Sequence, residues 1–477
     1  MDGWANDAIF YHVYPLGYCG APRRNDLQSA PEPRLEALRN DLGRITDLGF
    51  TALYLGPVFE SVAHGYDPVD WRKVDRRLGT EDTLRRLCDE ARRLGMRLVF
   101  DGVFNHTGRE HPWFRELLAL GEGAPGSTAS ARYSSIRPGK SPCGDGFAYE
   151  GWAGNYDLVK LELRNPSVSA ELIGAALSWI DDYGIDGIRL DTADCLDMDF
   201  LKQLSATCKA RKADFWLMGE VVGGDYRKWA GRAEGAAEGS PAAGPSSASG
   251  AGAASEAREG PLDSITNYEC YKGLWSSQVD ANYFEIAWSL KRQFGEGGIY
   301  RGIPLYSFAD NHDVDRVASK LAREEQLYPL YCLLFTMPGI PSVYYGSERG
   351  AAATKEPGSD WALRPTIDAA FESGTQPHLE GTIRSLAALR RSSRALRRGS
   401  YRELAVASTS IAFEREEGGE RAVVAVNGGE ATNMALAVGG DDRLWKDALN
   451  DGTAYRSSGG TLRFDLPKTW ARVMIPS

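Results

Sequence analysis

The sequence predicts an α/β protein built on a closed (β/α)8 barrel, and three observations carry that expectation. First, apolar runs without polar alternation recur along the 477-residue chain, the pattern of strands buried on both faces of a parallel sheet. Second, amphipathic stretches of helical period separate these runs, so each strand reaches the next by a right-handed crossover. Third, four runs end in acids: MRLVFDGVFNH at Asp101, IDGIRLD at Asp191, FWLMGE at Glu220 and LYSFADNHD at Asp313. The carboxyl ends of barrel strands are where such folds build active sites, and buried strand ends seldom tolerate an acid without a partner or a task.

The elements follow in order. Strands are expected at residues 8–17, 50–59, 97–104, 186–194, 214–221, 264–271, 303–311 and 339–348. Between them, residues 81–95 place Leu84, Leu87, Cys88, Ala91 and Leu94 on one helical face and stop at Gly95, a fitting C-terminal residue. Residues 171–187 repeat that pattern and its glycine stop. Eight strand candidates favour closure over an open doubly wound sheet. Two regions break the rhythm. Residues 107–156, after strand three, form an excursion rich in Gly, Ser and Pro, read as an inserted domain. Residues 231–260 are nearly all Ala, Gly, Ser, Glu and Pro and are read as a flexible loop without chemistry. From residue 398 to 477, short runs such as SIAFERE, RAVVAVNG and WARVMIPS, joined by GG and NGG turns, predict an antiparallel β-sandwich domain. The barrel then takes 1–106 and 157–397. The Arg-rich RSLAALRRSSRALRR reads as a solvated helix face.

Composition narrows the function. A net charge of −10 argues against nucleic-acid or anionic-membrane partners. No run reaches the roughly 18 apolar residues of a membrane span, and the N-terminal residues lack a signal-peptide pattern. Seven Cys without a CxxC pair suggest reduced thiols and a cytoplasmic location.

These motifs together resemble the α-amylase family of glycoside hydrolases, glycoside hydrolase family 13, over nearly the whole chain. GFTALYLGPVFES (49–61) resembles the family's strand-two block, HGYDPVDW (64–71) its donor-sugar platform, and GIPSVYYGSE (339–348) its strand-eight block. DGVFNH (101–106), GIRLDTAD (187–194), Gly219-Glu220 and ADNHD (309–313) resemble its four catalytic regions. The resemblance implies Asp191 as nucleophile, Glu220 as general acid/base and Asp313 as the third carboxylate. It implies sugar contacts for Tyr66, His64, His106 and His312, and places the excursion where the family has its B domain.

The residues themselves support such chemistry. Glycosidic cleavage passes through an oxocarbenium-like state and usually needs two carboxyl groups. Arg189, two residues before Asp191 on the same strand face, is expected among the substrate-binding residues and is expected to depress the Asp191 pKa. Glu220 ends an apolar strand, and apolar surroundings would raise its pKa. Asp101 is expected to be structural, bonding Arg189 or nearby backbone.

Departures from the family pattern also inform. Where many α-amylases carry a Lys-His pair after the nucleophile, this chain has Ala193-Asp194-Cys195, and Lys160 stands where those enzymes have a calcium-binding Asp. Only Asn105 resembles a remaining ligand. The expectation is no metal and no cofactor, calcium being disfavoured by the Lys160 ammonium. GIRLDTAD and LVKLEL resemble the intracellular cyclomaltodextrinase and neopullulanase branch. The function expected is a retaining hydrolase of α-1,4-glucosidic bonds in maltodextrins or related α-glucans. A transglycosylase or isomerase of the same family, and a catalytically inactive partner subunit of the same fold, are the alternatives.

Overall fold

A computed structural model describes residues 3–231 and 260–477. The low-complexity stretch at 231–260 therefore lies, but for its two end residues, outside the described residues. Eight parallel strands form one sheet: β1 (Phe10–Val13), β2 (Ala52–Leu55), β3 (Arg97–Gly102), β4 (Gly187–Leu190), β5 (Trp216–Gly219), β6 (Ser264–Ile265), β7 (Tyr306–Phe308) and β8 (Ile340–Tyr344). Their order is β6-β5-β4-β3-β2-β1-β8-β7. A parallel bridge from Thr266 to Tyr306 joins the two ends and closes the barrel. Strands β1, β2, β4, β5, β7 and β8 are buried at every position, as their unbroken apolar runs require. Phe10, Tyr54, Trp216, Met218, Tyr306 and Phe308 fill the interior, with Trp4 packed below them.

The helices obey their local signals. Helix α1 (Glu81–Arg93) starts at Thr80, whose hydroxyl accepts the Thr83 N–H, and carries Glu81 and Asp82 in its first turn and Arg92 and Arg93 in its last. It buries Leu84, Leu87, Cys88 and Ala91, each large apolar side chain contributing roughly 1.5–3 kcal/mol. Helix α2 (Pro166–Tyr183) is capped by Asn165, has Pro at its first position and ends at Gly184 in the left-handed region (φ 65°).

Three expectations are corrected. The run expected as strand six through residue 271 is only β6, because the Asn267 side chain accepts the Cys270 N–H and starts helix α3 (Tyr268–Val279). The strand expected at residues 8–17 stops at Val13, where Pro15 opens a helical turn. The Arg-rich segment is not a uniformly solvated face, since Arg390, on helix α4 (Leu379–Ser392), is completely buried against helix α5 (Arg394–Arg398).

The excursion after β3 holds a small antiparallel sheet. His106–Gly108 pairs with Asn155–Lys160, which pairs with Gly151–Trp152, so its closing strand straddles residues 156 and 157. The C-terminal region is antiparallel: β9 (Ser400–Val406), β10 (Ser410–Glu417), β11 (Glu420–Asn427), β12 (Thr432–Ala437), β13 (Leu444–Asp447), β14 (Ala454–Arg456), β15 (Thr461–Leu466) and β16 (Trp470–Pro476). Six strands in the order β9-β10-β11-β16-β13-β14 face the β12-β15 pair across a core of Val423, Leu436, Trp445, Leu462 and Phe464. Gly418 and Gly419 turn β10 into β11 with φ of 59° and 84°, the left-handed pair that a tight hairpin needs.

Candidate active site

The carboxyl ends of β3, β4, β5 and β7 deliver Asp101, Asp191, Glu220 and Asp313 to one mouth. Adjacent register brings Asp101 opposite Arg189. The Arg189 guanidinium, almost fully buried, is then shared three ways. Its Nη1 lies 2.8 Å from Asp101 Oδ1 and 3.0 Å from Asp191 Oδ1, and its Nη2 lies 2.7 Å from Glu220 Oε1. Asp101 is held further by the Tyr54 hydroxyl at 2.8 Å and the Tyr66 hydroxyl at 2.9 Å.

The net shift expected for Asp191 is reversed. Burial pushes the Asp191 carboxyl well above its usual range, and the lowering by Arg189 is outweighed with help from Glu220, Asp101 and Asp313. One cation divided among three acids cannot neutralise them all. The surroundings of Glu220 also differ from the apolar pocket expected. Besides Arg189, its oxygens accept the Thr192 backbone N–H at 3.2 Å and the Tyr268 hydroxyl at 3.3 Å. Thr192 adopts a left-handed backbone (φ 43°, ψ 48°), a strained choice for a β-branched residue, and this conformation accompanies the aim of its N–H at Glu220.

Asp313 is a partly exposed acid with strong partners. Burial alone would raise its pKa. The His312 ring, with Nε2 3.0 Å from Oδ2, and the cations Arg364 and Arg189 outweigh that and hold it well below the usual carboxylate range. Arg364 Nη2 donates to Asp313 Oδ1 at 2.9 Å and Arg364 Nε to the His312 carbonyl at 3.0 Å. The Tyr66 ring lies parallel to His312, centroids 5.3 Å apart, and its hydroxyl meets His312 Nε2.

The remaining expected residues sit around this group. His106 is buried, its Nε2–H donating to the Tyr66 carbonyl at 2.8 Å and its Nδ1 facing the Asn105 amide at 3.2 Å. Burial pushes its pKa down to about 4. Both ring nitrogens are thus occupied by protein. His64 is half-buried, its Nδ1 accepting the Tyr66 N–H at 3.2 Å. Lys160, at the position discussed for calcium, pairs with Glu150 at 2.8 Å. Sequence reasoning missed Tyr54, Tyr268, Arg364 and His12. A histidine inside the apolar run FYHVYP was a usable signal for His12. Arg364 lies outside every motif, and nothing in the sequence points to it.

An eight-stranded parallel barrel that gathers four carboxylates and a shared guanidinium at its strand ends defines a class: a barrel enzyme equipped for acid, base and nucleophilic chemistry on a polar substrate. Comparison with known proteins narrows it. The family description "Alpha amylase, catalytic domain" matches residues 34–238. A cyclomaltodextrinase from a Bacillus species is 27% identical over 462 residues, covering 92% of this chain and 75% of that protein. The solved cyclic α-maltosyl-(1→6)-maltose hydrolase from Arthrobacter globiformis, in its ligand-free form, is 25% identical, with a TM-score of 0.77 and all of both chains covered. A solved cyclomaltodextrinase shares the fold with a TM-score of 0.81 at 23% identity, over 99% of this chain and 78% of its own. The chain is a glycoside hydrolase similar to the α-amylase family. Among the described residues no helix is long and apolar enough to cross a membrane.

Proposed function

We propose that this enzyme cleaves α-1,4-glucosidic bonds of maltodextrins or related short α-glucans, with retention at the anomeric carbon, through a covalent glycosyl-enzyme. The observation that carries the reading is the bridging of Asp191 and Glu220 by one guanidinium, at 3.0 and 2.7 Å. That bridge keeps the two carboxyl groups near each other, which favours the roughly 5 Å spacing of direct attack over the wider gap that admits a water.

In this mechanism Asp191 attacks the anomeric carbon while Glu220 gives a proton to the leaving oxygen, and Glu220 then draws a proton from the water that releases the sugar. Asp313, kept ionised by His312 and Arg364, accepts hydrogen bonds from sugar hydroxyls as positive charge develops on the ring. Tyr66 offers an aromatic face to the pyranose. His106 and His64 act through the Tyr66 loop, whose backbone they hold. Arg189 sets the carboxylates, and Asp101 anchors Arg189.

A second reading, supported by the end-to-end likeness to the cyclic α-maltosyl-(1→6)-maltose hydrolase, is a cyclic or branched oligosaccharide as substrate. Products from maltoheptaose, β-cyclodextrin, pullulan and cyclic maltosyl-maltose, read by mass spectrometry and by proton NMR of the first anomer released, separate the two. Release of the β-anomer, or no turnover of any of the four, overturns the main proposal.

No metal enters the mechanism. The Lys160 ammonium, paired with Glu150, and the Asn105 amide, turned to His106, do not fit a hard cation that wants six to eight oxygens. Excess chelator should leave turnover and melting temperature unchanged, and a loss restored by calcium alone would count against this. The seven cysteines are all free thiols, and similar proteins include one named intracellular maltogenic amylase. Both support placing the enzyme in the cytoplasm.

A further inference from the structure

His12, in the middle of β1, lies beneath the catalytic mouth and plays no part in the mechanism above. It is buried, and its Nε2 has no hydrogen-bond partner. Its ring stacks on Tyr54 (centroids 4.2 Å apart, 20° between planes), leans on Tyr344 at 4.9 Å and meets His312 edge to face at 5.2 Å. His312 carries a second buried atom without a partner, its Nδ1. Both rings line one small cavity with Tyr54, Arg189, Glu220 and Tyr306. That cavity has room for about one water, and among its lining residues Arg189, Glu220 and the two imidazoles can bond to one.

The proton of His312 is constrained from the other side. Its Nε2 stands 3.0 Å from Asp313 Oδ2, which as a carboxylate only accepts. The same nitrogen meets the Tyr66 hydroxyl, whose hydrogen is directed to Asp101 at 2.9 Å. Both contacts require the proton on Nε2. Nδ1 then presents a lone pair, and a buried acceptor without a donor is disfavoured by roughly tenfold or more in an equilibrium. The nearest ring with an equally unpartnered nitrogen is His12.

We propose that His12 is a positioning residue for this reaction: through a water in the shared cavity it supplies the donor that His312 Nδ1 lacks, and so holds the His312 proton on Nε2, toward Asp313 and Tyr66. A water between the rings donates to Nδ1 of His312 and satisfies Nε2 of His12, so both orphan atoms are paired at once. His12 is suited to the part because it stays neutral. Burial and the Arg189 and Arg316 cations hold it well below the usual imidazole range, against a smaller opposite pull from Asp313.

The proposal rests on the hydrolase reading for its effect on rate but not for its effect on the ring. Histidine-selective 15N NMR of the full chain, with the six histidines assigned by single substitution, should show His312 as the Nε2–H tautomer. His12→Leu, which removes the polar atom, should mix the tautomers and lower kcat by about tenfold with little change in KM. His12→Gln, whose amide can still bind the water, should restore both to within about threefold. A pure Nε2–H signal with undiminished kcat in His12→Leu overturns the proposal. If His12→Leu does not fold, His12→Gln and a wild-type crystal structure decide: a water touching both rings supports it, and a dry cavity overturns it. If the wild type turns over no glucan, the hydrolase reading fails while the tautomer measurement still stands.

Discussion

Arginines are buried at two places in this molecule, and the two burials differ in their partners. At the barrel mouth one guanidinium, Arg189, serves three carboxylates. At the junction with the C-terminal sandwich, Arg390 and Arg415 are equally buried, yet among the described residues neither pairs with a carboxylate. Arg415, from β10, donates to the carbonyls of Thr336 at 2.6 Å, Gly399 at 2.8 Å and Ser400 at 3.0 Å. Arg390 donates to the Phe335 carbonyl at 2.8 Å, and both reach Leu396 at 3.1 Å. All but that of Ser400, which opens β9, belong to the ends of helices, α5 among them, where unpaired acceptors and the negative end of the dipole gather. The junction therefore balances charge with fixed dipoles and is finished as a structure. The mouth is left with an excess of negative charge, which is the condition a cationic transition state can exploit.

The largest expected effect breaks the mouth. Asp191→Asn keeps the shape of the side chain but cannot attack, so kcat should fall by roughly 10³-fold or more. Because burial already disfavours the charged Asp191, the variant should melt at or above the wild-type temperature, a trade-off typical of active-site acids. More than a tenth of wild-type turnover in the purified variant would refute its role as nucleophile.

Breaking the junction should do the opposite. Arg415→Met leaves several buried carbonyls unpaired and should lower the unfolding free energy by about 3–5 kcal/mol, while turnover per folded molecule stays at the wild-type value. Urea unfolding with activity measured below the transition checks both halves. A variant as stable as wild type would show that the helix ends find other donors.

A smaller, pH-dependent effect sharpens the comparison. His106 at the mouth has its pKa held near 4 by burial, against about 6.5 when unfolded. Above pH 6.5 neither state binds the proton and the group contributes nothing. Between 6.5 and 4 the unfolded chain takes up a proton that the native state refuses, so stability falls with pH, by on the order of 3 kcal/mol at pH 4. His111, its Nδ1 accepting the Trp113 N–H, behaves alike, its pKa also near 4 from burial. His106→Gln should flatten this slope. Hydrogen exchange should show the acid-induced opening in the 106–160 region rather than at the junction. An unchanged slope in the variant would point to other acids and bases.

Much of the site is legible in the sequence because it is local. Asp191 and Arg189 share a strand face by their spacing of two, and each acid closes an apolar run, so motif and period alone locate them. The eight-strand order is similarly a matter of repeated local pattern, and the hairpin at Gly418-Gly419 declares itself.

What only the tertiary structure decided depends on groups distant in the chain. Burial of Asp191, helped by the other acids that share Arg189, reverses the pKa shift that the Arg189–Asp191 spacing suggests, since a pair read in isolation omits both. Arg364 reaches Asp313 from 51 residues away, through a loop with no pattern of its own. Arg390 sits on a helix whose sequence reads as solvated, yet it is buried against the carbonyls of Phe335, Gly339 and Leu396. Spacing along a strand or helix reports which residues share a face. The charge each group carries and the face that is finally covered are set by partners that the fold brings together across the chain.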